Sequence, residues 1–182
     1  MDGIASSRFS DGKAGTTIES VAGRHCETEA KRARATFHPM HRPFEEETAM
    51  PHLQLQISGQ PNAALTAKAA ATVAELTRTV LGKKPEVMAV AVQYVPHDAW
   101  FIDGKPLSAL GRNAFHLDIS VTDETNTKAE KARYLEAVHH ALSELIGDVH
   151  DCSYIHVIDA RAAAYGYGGR TQEYRHQHGS TL

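Results

Sequence analysis

The residues able to do chemistry in this 182-residue chain fall into a few short groups. His25, Cys26, His38 and His41 are soft donors, but their spacing follows no standard zinc pattern, so they read as tail residues rather than a metal site. Gly166-Tyr167-Gly168-Gly169 has the glycines of a phosphate loop without the lysine and helix that must follow one. Its plain role is a tight turn. Tyr154 and His156 alternate in a β-prone run and so share one strand face, a phenol beside an imidazole. By spacing alone they are a core tyrosine and a satisfied histidine. Lys83 and Lys84 follow a predicted helix, where cations complement the helix dipole. Trp100 reads as packing or interface, His139 and His140 as structural or surface, and Lys128, Lys131 and Arg133 as a solvated helix face. Arg112 and Asp118 lie near a predicted strand, with no spacing that pairs them. Met50-Pro51 stands directly before the first β-prone run; by itself an internal proline there only marks where a strand starts.

Composition bounds what these groups can be part of. The chain is 42% hydrophobic and 23% charged, enough for the core of one domain. A net charge of −3 offers no broad basic field, which argues against nucleic-acid binding. No apolar run approaches the roughly 20 residues of a membrane helix. Two cysteines, Cys26 and Cys152, make neither a disulfide framework nor a four-thiolate zinc site, so a reducing, cytoplasmic setting is expected. Residues 1–49 hold 7 basic and 8 acidic residues and few scattered large apolar ones, with no helical or strand period. They read as a disordered extension, either a mis-called start or a segment that is removed.

From Met50 onward the texture changes, and residues 50–182 read as one domain. His52 to Ile57 alternates, with Leu53, Leu55 and Ile57 on one face of a strand. Leu65, Ala69, Val73, Leu76 and Val80 set the apolar stripe of a helix over 62–81, closed by Gly82. Val87 to Val95 is a second strand. The pattern then recurs: a strand on Phe115, Leu117, Ile119 and Val121, and a Thr127–Glu130 capping box. A helix ends at Gly147, and a last strand covers Tyr154 to Asp159. Glycines and strands of the two halves coincide at a shift of about 65 residues, giving units of about 51–111 and 112–175. Two β-α-β units predict an α+β fold: a four-stranded mixed sheet with two helices on one face. The other face is expected to be apolar on alternate residues and covered by oligomerisation. The tail from Glu173 to Leu182 is expected to fray.

Met50-Pro51 before such a duplicated unit, with GKKPEVMAVAVQYV (82–95) and YIHVIDARAAAYGYGGRTQEYR (154–175), resembles the tautomerase superfamily over residues 50 to about 175. That superfamily includes 4-oxalocrotonate tautomerase and macrophage migration inhibitory factor. The resemblance implies a trimer with sites at subunit borders, no metal or organic cofactor, and an amino-terminal proline as base. Pro51 takes that position. Lys83 falls where the migration-factor branch has an active-site lysine, and Tyr154 where it has a tyrosine from the neighbouring subunit. His156 replaces an asparagine of that branch. Trp100 corresponds to the aromatic lining the site in 4-oxalocrotonate tautomerase. With His156 and Trp100, Tyr167 is assigned to substrate binding. The chain departs from 4-oxalocrotonate tautomerase at both arginines that grip a dicarboxylate: the first loop reads SGQPN (58–62), and the strand positions hold Ala89 and Tyr154.

The chemistry implied is proton transfer at carbon. A free proline is a secondary amine, and an apolar pocket with a nearby cation disfavours its charged form. Such a base can move a proton along a 2-oxo or 2-hydroxydienoate acid, with Lys83 holding the anion and Tyr154 donating to oxygen. With residues 1–49 attached, however, the nitrogen of Pro51 is an amide and carries no basic lone pair. The expectation is therefore a homotrimeric keto–enol tautomerase whose working chain begins at Pro51, acting on a small carboxylate. The alternatives are a related proline-dependent hydratase, dehalogenase or decarboxylase, or a non-catalytic trimeric binding protein if the extension stays attached.

Overall fold

The computed structural model describes residues 51–179. The expectations for residues 1–49, and for the soft donors among them, fall outside these. In chain order the elements are β1 (His52–Ser58), α1 (Ala63–Leu81), β2 (Ala89–Val95), β3 (Phe101–Ile102), β4 (Lys105–Pro106), α2 (Leu107–Leu110) and β5 (Phe115–Thr122). They continue with α3 (Lys128–Ile146), β6 (Tyr154–Ala160), β7 (Gly166–Tyr167), β8 (Arg170–Thr171) and α4 (Gln172–His178). The four long strands form one sheet in the order β2-β1-β5-β6. β1 and β2 are parallel, as are β5 and β6, while β1 and β5 meet antiparallel. This is the mixed sheet the repeat predicts.

Local chemistry sets the helix ends. The Asn62 side chain accepts from the Leu65 amide at 3.0 Å to start α1, and Gly82, at φ 67°, ends it in the left-handed conformation. At α3, Glu130 accepts from the Thr127 amide at 2.7 Å while Thr127 accepts from the Glu130 amide at 3.2 Å, the reciprocal box read from the sequence. The second strand is shorter than expected, because Pro85–Val87 forms a 3₁₀ turn before β2. The repeat is closely kept. Helices, second strands and hairpins of the two units begin at 63 and 128, 89 and 154, 101 and 166, and 105 and 170. The first strands differ by one, since His52 pairs with Ala89 and His116 with Tyr154. The β5–α3 connection carries the extra residue.

Leu53, Leu55 and Ile57 of β1 and Phe115, Leu117, Ile119 and Val121 of β5 are fully buried against Ala69 and Val73 of α1 and Tyr134, Val138 and Leu142 of α3. Both helices therefore cover one face. The opposite face is not the apolar surface anticipated. Its rows read Ala91, Gln54, Asp118, His156 and then Gln93, Gln56, His116, Tyr154 across the four strands. Alternation supplies one apolar set per central strand, and the helices consume it. Two further expectations are corrected. Residues 172–178 form α4 rather than a frayed tail, because the Thr171 hydroxyl caps it by accepting from the Tyr174 amide at 3.1 Å. Lys131 is not simply solvated, because its ammonium lies 2.6 Å from Asp159.

In the core, the Thr77 hydroxyl donates to the Val73 carbonyl at 2.6 Å, so the Tyr134 hydroxyl donates to Thr77, at 2.8 Å. Burial pushes the Tyr134 phenol up to about 12. An unfolded tyrosine titrates near 10. The stabilisation is thus complete below pH 10 and fades as the pH rises through 12, because the unfolded chain sheds its proton first. Urea denaturation is expected to show a loss of about 2–3 kcal/mol over that window. Tyr134→Phe is expected to remove this share of the pH dependence.

Candidate active site

Pro51 lies one residue beyond the His52–Ser120 pair, at the end of the sheet where β1 begins and β5 finishes. It is buried, and its carbonyl accepts from the Ala89 amide at 3.3 Å. The same end receives the chain leaving α1. Asn126 donates to the Leu81 carbonyl at 3.0 Å, stitching the β5–α3 connection to the last turn of that helix. Between them lies Lys83, only 6% exposed, its ammonium donating to the Thr125 hydroxyl at 2.9 Å. Lys83 is thus a buried cation at the proline end of the sheet, whereas Lys84 is exposed.

Tyr154 and Trp100 lie at the opposite end. Tyr154 pairs with His116, which pairs with Gln56, five residues along β1 from Pro51 and so roughly 16 Å away at strand rise. Trp100, Phe101, Gln56, His116, Cys152 and Tyr154 line an open cavity of about 540 Å³. Tyr154 is 64% exposed and Phe101 59%, so the tyrosine is not the core residue that spacing alone suggests. A folded surface rarely leaves two aromatic rings this bare without use for them.

His156 sits on the open face between the two ends, its Nδ1 3.5 Å from Asp118 Oδ1. Tyr167 is on the β7–β8 hairpin, which leaves the sheet after β6. Arg175 lies 3.7 Å over its ring and donates to its carbonyl at 2.9 Å. This hairpin is the tight turn expected of the glycine string, with Gly168 and Gly169 at φ 56° and 73°. Gly166 is obligatory there, since a Cβ would meet the Arg170 carbonyl oxygen at 2.0 Å. Nearby, burial pushes the Tyr165 phenol up, against the pull of the Thr122 and Gln172 side chains.

Within one chain, then, Pro51 and Lys83 stand at one end of the sheet and Trp100 and Tyr154 at the other. Sequence reasoning missed His116. Its Nε2 lies 2.9 Å from the same Asp118 oxygen that faces His156. The alternation of Phe115 to Thr122 places His116 and Asp118 on one face, a signal passed over because Asp118 was weighed only against Arg112. Arg112 instead pairs with Asp148, Nε to Oδ1 at 3.3 Å. The second unit has no copy of the proline end: the counterpart of Pro51 is the fully buried Phe115, and that of Lys83 is Asp148.

No protein-family model matches the sequence, and no curated protein does. Solved structures match the fold. A structure of Pt0534 inactivated by 2-oxo-3-pentynoate superposes with a TM-score of 0.59 at 12% identity, covering 67% of this chain and 97% of that one. Native fused 4-OT gives 0.57 at 16%, covering 67% and 96%, and MIF2 of Leishmania major gives 0.55 at 17%, covering 67% and 97%. The chain has the tautomerase-superfamily fold that its strand order and repeat define. Among the described residues no helix is long and apolar enough to cross a membrane.

Proposed function

We propose that the protein is a cofactor-independent keto–enol tautomerase of a small 2-oxo or 2-hydroxydienoate acid, working as a homotrimer from a chain that begins at Pro51. The observation that carries this is the separation of the half-sites. A buried cation and a buried proline stand at one end of the sheet, and an aromatic cavity with a bare phenol stands at the other. In this reading a neighbouring copy brings the second to the first. Fused 4-OT, of the same fold, forms symmetric and asymmetric trimers, which supports the assembly.

In this reading the Pro51 amine takes a proton from the carbon next to the carbonyl and returns it along the chain of the substrate. Lys83 holds the carboxylate or enolate by charge in a site with little water. Tyr154 of the adjacent copy donates to the carbonyl oxygen, and Trp100 and His156 bound the substrate. Tyr167, on the β7–β8 hairpin, is assigned to substrate binding with them. Lys83→Met is expected to lower kcat/KM by on the order of 10²-fold, the loss of one charge-stabilising group. Lys84→Met is expected to leave it unchanged, and steady-state kinetics on both variants checks this.

The deciding experiment uses the inactivator of Pt0534. An alkynone such as 2-oxo-3-pentynoate accepts a free amine by conjugate addition. Incubation followed by peptide mapping is expected to find one adduct, on the nitrogen of Pro51. Protein that stays unlabelled, or that retains Met50 joined to Pro51 in its native source, overturns the reading.

A further inference from the structure

We propose that Asp118 and His116 form a carboxylate–imidazole pair that handles the oxygen-bound proton of the substrate. His116 exchanges the proton, and Asp118 is the positioning residue that fixes which ring nitrogen does so. The proposal rests on the tautomerase reading and adds to it two residues that reading does not use.

The geometry is specific. His116 and Asp118 are two residues apart on β5 and share the open face. His116 Nε2 lies 2.9 Å from Asp118 Oδ1. A carboxylate only accepts, so Nε2 carries the hydrogen, and in the neutral ring Nδ1 keeps its lone pair. Among the described residues Nδ1 has no hydrogen-bond partner. His116 lines the Trp100–Tyr154 cavity, with its ring centroid 6.5 Å from that of Tyr154. The other titratable groups on this face are Tyr154 and His156 on β6 and His52 on β1, Asp103 and Cys152 also line the cavity, and both long helices lie on the far side. His156 reaches the same Asp118 oxygen only at 3.5 Å, so the shorter bond belongs to His116.

The chemistry needs such a group. Ketonisation puts one proton on carbon and takes another off oxygen. Protonated Pro51 supplies the first. As the C=O bond forms, the O–H electron pair stays with the substrate, and the proton passes to the lone pair of His116 Nδ1. Pro51 ends as the free amine and His116 as imidazolium, and transfer through water restores both. In the reverse direction the imidazolium protonates the carbonyl while Pro51 removes the C–H proton. A neutral phenol such as Tyr154 donates well, but at neutral pH it is a poor acceptor for the ketonising direction.

Two measurements test this. In the full chain labelled with ¹⁵N-histidine, His116 is expected to show the Nε2–H tautomer, and Asp118→Asn to scramble it. In protein whose ketonisation depends on Pro51, His116→Gln is expected to lower kcat about 10²-fold and Asp118→Asn about 10-fold. The double variant is expected to be no slower than His116→Gln alone. Added imidazole is expected to restore part of the rate of His116→Ala, with circular dichroism showing each variant folded. Unchanged kcat in His116→Gln, or no rescue of a folded, slowed His116→Ala, overturns the pair while leaving the Pro51 reading standing. Absence of any Pro51-dependent activity overturns the reading itself and the pair's role with it.

Discussion

A chain that begins at Pro51 is expected to ketonise the enol of phenylpyruvate at least on the order of 10³-fold faster than the same chain with Met50 still joined to it. The two proteins share the core of the described residues, whose buried apolar side chains run from Leu53 to Val149. They differ in one bond. In the longer chain the nitrogen lone pair of Pro51 is delocalised into an amide, and no geometry of the pocket can make it a base. In the shorter one the pair is free, the ring fixes its direction, and in the proposed site Lys83 would disfavour the charged amine. Pro51→Ala, in the shorter chain, keeps a terminal amine but loses the ring that aims it, so a smaller loss of about 10²-fold is expected. Stopped-flow measurement of enol decay on the three proteins distinguishes these levels. Equal rates with and without Met50 place the base elsewhere.

The second large effect is a gain. Homotrimers of Pro51→Ala and of Tyr154→Ala are each expected to be nearly inactive, because each lacks one half of every site. Unfolded together and refolded, they are expected to recover activity. Where a chain with intact Pro51 meets a neighbour with intact Tyr154, a complete site forms. Random pairing of equal amounts makes about a quarter of the sites complete. A site built within one chain would recover nothing, since neither parent holds both residues. The 16 Å scale of separation along β1 already argues against that arrangement, and the mixing experiment measures it directly.

Much of this frame was legible before any coordinates. The alternation of Leu53, Leu55 and Ile57, the stripe from Leu65 to Val80, the Thr127–Glu130 box and Gly82 are each local signals. Local signals survive into the fold when packing does not oppose them. The 65-residue shift placed the helices and second strands. Other features have no such signature. Strands of two residues are too short to show a period, so β3, β4, β7 and β8 were invisible. α4 needed its Thr171 cap and the stack of Tyr174 on His178, 4.1 Å between ring centres, to outweigh a polar composition. The polarity of the open face was misjudged because Val87 to Val95 and Tyr154 to Asp159 look apolar throughout, whereas their outward set holds Ala89, Ala91, Tyr154 and His156. The site residues were named one at a time. That Pro51 and Tyr154 belong to opposite ends followed only from the antiparallel junction of β1 with β5, which no spacing announces.

The replacement of Pro51 by Phe115 and of Lys83 by Asp148 in the second half has a consequence for counting. Doubling a unit doubles its reactive centres only if both copies keep their chemistry, and here the later copy holds a core phenylalanine and an acid where the first holds a proline and a lysine. In the trimer proposed above, three such chains would therefore hold three reactive centres, not six, and the later half would serve the chain beside it instead of a proline of its own.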